Sequence, residues 1–129
     1  MTKNTQPNFR YKSEKSSAKS LGMEAIAGSG NNWEKGREDF IGRGNDPRLG
    51  QSKSTGKRNA ITVRYRDLFQ LWVHAHQAQK EFPIYVMDWE QPMVVGDDGE
   101  EREFPEHERW VAMPEEDYKR LWEVYCKQE

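Results

Sequence analysis

Residues 66–80 (RDLFQLWVHAHQAQK) constrain this chain more than any other segment. Leu68, Leu71, Trp72 and Ala75 recur at helical spacing, with Ala78 close to the same stripe, which predicts an amphipathic helix with that stripe turned inward. Pro83 follows the end of the pattern, and Ile84-Tyr85-Val86-Met87-Asp88-Trp89 is an apolar strand. A helix leading into a strand of this kind belongs to a layered α/β domain rather than to a bundle or a sandwich.

The flanking segments extend that frame. Residues 11–21 (YKSEKSSAKSL) predict a short helix with Ala18 and Leu21 inward and Gly22 as its stop. Met23 to Ala27 predicts a first strand, and Gly28-Ser29-Gly30-Asn31-Asn32 a loop. Asp39-Phe40-Ile41 and Leu49-Gly50-Gln51-Ser52-Lys53 predict two strands joined by the turn Gly42-Arg43-Gly44-Asn45-Asp46-Pro47, an antiparallel hairpin. Lys53 to Asn59 is a basic loop, and Ala60 to Arg64 predicts a returning strand. An acidic turn at 96–101 and a final strand over Arg109–Met113 come next. Pro114 followed by three acids then opens a helix over 115–127. Tyr118, Leu121, Trp122 and Tyr125 are expected on its inner side, and Trp72, Trp89, Trp110 and Trp122 in the core. His74 and His76 sit two residues apart on the helix, so they do not share one ion, and both read as structural or surface residues. The acidic run 97–108 reads as a solvated hairpin tip, with His107 exposed within it. The expectation is a flexible arm over 1–10 and one domain over 11–129, α/β in class, with a small mixed central sheet flanked by helices.

Composition narrows the function classes. Hydrophobic residues make up 34% and charged residues 33%, so the core is small, and 12% aromatics must supply much of its burial. A single cysteine excludes an internal disulfide framework and suits a reducing, cytoplasmic setting. No apolar run approaches a membrane span, and the N-terminus has no signal-peptide core. The net charge of −2 conceals an asymmetry: residues 1–66 hold fourteen Lys/Arg against six Asp/Glu, +8, and residues 67–129 hold six against sixteen, −10. A basic half is the electrostatic footprint of a phosphate-backbone partner. Lys57, Arg58, Arg64 and Arg66 form a candidate phosphate-contacting strip, and Lys12, Lys15 and Lys19 a second grip. Trp33, beside the 28–32 loop, is placed to stack on a base or sugar.

The chemistry concentrates at Asp39 and Gln51-Ser52-Lys53-Ser54-Thr55. Phosphodiester hydrolysis needs a hard cation to neutralise phosphate and to lower the pKa of a water, oxygen ligands to hold it, and a nearby ammonium. On a strand, residues i and i+2 share a face, so Gln51 and Lys53 point together, and Asp39 on the partner strand sits across from Gln51. One carboxylate, one amide oxygen and one ammonium then converge. Gln in place of Glu keeps shape and one oxygen but removes a charge. That charge is worth about 4 kcal/mol at 4 Å for an effective dielectric near 20, before desolvation offsets part of it.

At these residues the chain resembles the Holliday-junction-resolvase-like branch of the PD-(D/E)XK nuclease superfamily, in its small phage-type form. Glu14 with Ala18-Lys19-Ser20-Leu21-Gly22 resembles the family's first helix, Gly28-Ser29-Gly30-Asn31 the loop after it, and Lys35-Gly36 with Asp39 the Lys-Gly-Asp segment. Gln51 to Thr55 resembles the strand usually read Glu-x-Lys-(Ser/Thr)-Thr. Residues 61–89 resemble the following strand, long helix and Pro-led strand, and Trp110 to Tyr118 the closing strand and helix start. The resemblance implies a restriction-endonuclease-like core, a homodimer, and a DNA endonuclease acting on branched DNA in recombination. It implies Mg²⁺, or Mn²⁺, held by Asp39, Gln51 and Glu14, with Lys53 completing the catalytic set. Ser29, Asn31, Lys35, Thr55, Lys57, Arg58 and Arg64 would then contact DNA.

Two departures stand. Arg37-Glu38 separates Lys-Gly from Asp39, which leaves Glu38 and Asp46 as alternative ligands, and Gln51 replaces the usual Glu. Two other readings remain open: a DNA-binding protein of the same fold with catalysis weakened or lost, and a phage interaction protein that turns its acidic half to a host partner.

Overall fold

The computed structural model describes residues 15–26, 38–55, 60–90, 92–103 and 108–128. Helix α1 is described over 15–21, followed by β1 (Glu24–Ala25), β2 (Phe40–Ile41), β3 (Arg48–Thr55), α2 (Tyr65–Gln77) and β4 (Phe82–Trp89). Strands β5 (Met93–Val95), β6 (Glu101–Glu103) and β7 (Glu108–Ala112) and helix α3 (Glu115–Lys127) complete the order. The main sheet runs β1-β2-β3-β4-β7, antiparallel except for the β3–β4 pair, which is parallel. Strands β5 and β6 form a separate hairpin about the acidic turn. The class expected from sequence, α/β with a mixed sheet and helices, is the class observed.

Alternation along the strands divides the core between the two faces. On one face Phe40, Ile84 and Val86 pack with Ala18 of α1 and with Met23. On the other, Leu49 and Tyr85 pack with Leu71 and Ala75 of α2 and with Ile26. Strand β4 is buried along most of its length because both faces and both edges are covered, which explains its nearly unbroken apolar run. Pro83 is tolerated there for a directional reason. The N–H of Phe82 bonds Pro47 on the β3 side, so the nitrogen of Pro83 faces the other side, where β7 has already ended at Ala112, opposite Tyr85.

The β2–β3 hairpin is set by one close contact. Phe40 and Gly50 are register partners, and a Cβ on Gly50 would stand 2.1 Å from the Phe40 ring. The ring occupies the space a side chain would take. The hairpin turn is latched as well: Asp46 accepts bonds from the Arg48 guanidinium at 2.7 and 2.9 Å, and Lys80 donates to the carbonyls of Gly42 and Asp46.

Four expectations are corrected. Residues 60–64 form no strand, because the place beside β3 is taken by β4 and the segment instead leads into α2. Trp72 is 45% exposed; the inward stripe of α2 is Leu68, Leu71 and Ala75. Trp110 and Trp122 are likewise outside the core, at 61% and 56% exposure. The α3 residues Tyr118, Leu121, Trp122 and Tyr125 face outward, and Asp117 is the buried residue of that helix.

Replacing Gly50 with Ala forces Phe40 off its site. We expect a loss of about 1–3 kcal/mol, measured as a lowered urea midpoint against the parent protein.

Candidate metal and phosphate site

The hairpin register brings the sequence-derived centre together. The β2–β3 register begins with Phe40 opposite Gly50, and Asp39 lies directly before β2. The regular ladder stops there: the Asp39 N–H donates at 2.9 Å to the carbonyl of Gly50, the register partner of Phe40. Asp39 is buried, and its Oδ2 accepts the Ser52 backbone N–H at 2.8 Å, which holds the carboxylate against β3. Gln51 is half-buried, and Lys53, two residues on along the same face, is exposed. On its other side Gln51 is the register partner of Tyr85 in β4, and Lys53 that of Met87. Thr55 closes the row opposite Trp89.

Around this row lies an acidic corner whose members were not all singled out from sequence. Glu38 is buried and paired with Nδ1 of His74 on α2. Burial pushes the Glu38 carboxyl above its ordinary range; the His74 bond pulls it back, and the charges of Asp39 and Asp67 push it further up. Burial also raises the Tyr85 hydroxyl, with Asp67, Asp39 and Glu38 adding to the shift. Glu38, Asp39, Asp67, His74 and Tyr85 therefore form one electrostatic group facing α2. A sequence signal existed for part of it: Asp67 and His74 are seven residues apart, two helical turns on one face.

The alternative ligands separate. Glu38 belongs to this corner, whereas Asp46 is engaged by Arg48 at the opening of β3, five residues before Gln51. Arg64 and Arg66 are exposed at the start of α2. Glu14, Ser29, Asn31, Trp33, Lys35, Lys57, Arg58, His107 and the 1–10 arm lie outside the described residues. Among the described residues no group of three His, Cys, Asp or Glu side chains is arranged to hold a metal ion. No helix among them is long and apolar enough to cross a membrane. The donors at the centre are hard oxygens, one carboxylate and one amide. That set is compatible with Mg²⁺, which takes one or two protein carboxylates and completes its shell with water and phosphate oxygens.

Compared with known proteins, the chain matches no family model, no curated protein and no solved structure.

The Asp46–Arg48 pair gives a pH signature. The Arg48 bond holds the Asp46 carboxyl below its usual 3.8, so its stabilisation is present above that pH and disappears as pH falls through the lower folded value. Asp46→Asn should cost about 1 kcal/mol at neutral pH. The difference from the parent should close below pH 3.8 in urea titrations run across the acid range.

Proposed function

We propose that this protein is a metal-dependent DNA endonuclease of the junction-resolving type, with a cation site weakened by Gln51. The observation that carries the reading is that Asp39, directly before β2, places its carboxylate on the Ser52 N–H of β3, between Gln51 and Lys53, which share one face of that strand. A mixed sheet flanked by helices, with Gln51 and Lys53 on β3 and Asp39 directly before β2, agrees with what the resemblance implies. The +8 balance of residues 1–66 supplies attraction for a phosphate backbone, and Lys53, Arg64 and Arg66 are exposed to it.

Each residue has a task that its position allows. Asp39 and Gln51 would hold the cation through their side-chain oxygens, with Glu14 completing the set. A Mg²⁺ ion bound there supplies Lewis acidity toward the phosphate and a more acidic water. The Ser52 N–H orients the Asp39 carboxylate from behind. Lys53, exposed on the same face, stabilises charge developing on the phosphate and positions the attacking water. The pair between Glu38 and His74 fixes the strand entering the site to α2, so Asp39 is held from both flanks.

A second reading is favoured by the donor count: Gln51 in the Glu position, and no three-residue metal group among the described residues. In it the protein binds branched DNA and no longer cuts.

The two are separated with a synthetic four-way junction in Mg²⁺ or Mn²⁺. The parent should bind at low salt and cleave slowly, Lys53→Ala should abolish cleavage while retaining binding, and Gln51→Glu should accelerate it at least about tenfold. Cleavage seen only with Gln51→Glu selects the second reading. Absence of binding to any DNA form at low salt removes both.

A further inference from the structure

Helix α2 leaves its aromatic residues on the outside. Tyr65, Phe69 and Trp72 are 77%, 50% and 45% exposed, and their i, i+4, i+7 spacing puts them on one face. The rings lie within 29° and 19° of parallel, with centroids 6.3 and 6.2 Å apart, and Trp72 continues onto the His76 ring at 4.2 Å. Beside the row is an apolar groove of about 460 Å³, lined beyond the rings by Leu68, Leu71, Tyr85, Ala112, Met113 and Pro114. A contiguous apolar surface on the outside of a small domain marks a binding face.

Three observations identify what this face takes. The first is the ring repeat. Its 6.3 and 6.2 Å steps are close to twice the ~3.4 Å rise per nucleotide of a stacked strand. Every second base of such a strand can meet a ring. The second is charge. The exposed charged residues of α2 and its N-cap are Arg66 and Arg64, and the helix has no exposed carboxylate. Asp67 is half-buried and adds its charge to the Glu38 corner. Glu115 and Glu116 follow Pro114 and are exposed, so phosphate is repelled from that edge of the groove and drawn to the Arg64–Arg66 end. The third is position. Leu49 packs against α2, and Gln51 and Lys53 lie two and four residues on along the same face of β3. Helix α2 is the crossover between the parallel strands β3 and β4, so it starts from the Lys53 end of β3 and runs back along the sheet. Tyr65 is the first ring that a strand leaving the candidate centre reaches.

We infer that the row Tyr65, Phe69 and Trp72 is a stacking platform for the unpaired bases of single-stranded DNA, with Arg64 and Arg66 holding the phosphate backbone. Aromatic side chains beside a positive groove bind single strands without regard to sequence, because every base has a π-face. A duplex keeps its bases stacked inside and offers the rings nothing but phosphates and groove edges. The inference rests on the reading of this protein as one that handles DNA, and it adds to that reading a substrate class: DNA with an unpaired stretch next to the site, rather than fully paired arms. Removing one stacking ring costs about five- to 150-fold in affinity.

The test is fluorescence anisotropy of the full chain at low salt, in chelator so that no strand is cut. Three labelled probes are compared: an oligothymidylate dodecamer, an abasic dodecamer with the same phosphates, and a blunt duplex of the same length. The parent should bind oligothymidylate at least about fivefold more tightly than either of the others. Phe69→Ala and Trp72→Ala, both at exposed positions, should each weaken oligothymidylate binding at least about fivefold. Both should leave abasic binding and the circular dichroism spectrum unchanged, and Phe69→Tyr should retain the parent affinity. Equal affinity for the three probes overturns the proposal. So do alanine variants that bind oligothymidylate like the parent. So does a row covered by a second copy of the chain, seen in sedimentation as a dimer that Phe69→Ala dissociates and oligothymidylate does not. The nuclease reading is scored separately on the four-way junction. Junction cleavage without preference for oligothymidylate overturns the platform alone, and oligothymidylate preference without junction cleavage supports the platform while removing the nuclease.

Discussion

The Phe40 ring lying where a Gly50 side chain would stand is the contact on which the rest of the molecule depends. Strand β2 is only two residues long, too short for its ladder bonds alone to define an alignment against β3. A slip of one residue would turn Phe40 away from the α1 face, where its core partners lie. The ring-over-glycine fit excludes that slip, because no other position in β3 lacks a side chain. From this one alignment follow the placement of Asp39 beside β3 and the capture of its carboxylate by the Ser52 N–H.

Much of this was legible in the sequence because it rests on period and punctuation. The turn at 42–47 and the alternation in 49–53 specify a hairpin, and a hairpin with that turn length puts residue 39 across from 51. The 66–80 stripe specifies a helix, and the Pro-led run after it a buried strand. What could not be read was partner choice. Ile61-Thr62-Val63 has strand-like composition, yet β4 takes the position beside β3, and no local pattern encodes that competition. The corner formed by Glu38, Asp67, His74 and Tyr85 draws on three separate segments of the chain, so its electrostatics emerge only when β2, α2 and β4 pack together.

The aromatic residues are distributed differently. Periodicity at 118, 121, 122 and 125 shows that a helix has an apolar face, but not which body covers it. The same holds for Trp72 and Trp110, whose apolar character matches a core and whose exposure does not. With 34% hydrophobic residues the chain has little to spare for its own interior, and much of its aromatic content lies on α2, β7 and α3 at the surface.

The amide at position 51 has a consequence for folding as well as for chemistry. Burial raises the Glu38 carboxyl in this corner, and the charges of Asp39 and Asp67 push it further up. A carboxylate at 51 would add a fourth negative charge to that crowd, and only a bound cation would relieve it. Gln51 keeps the oxygen and omits the repulsion, so the chain can complete this corner in cation-poor solution. On the proposed nuclease reading, fidelity of assembly and grip on metal would be set against each other at this one side chain.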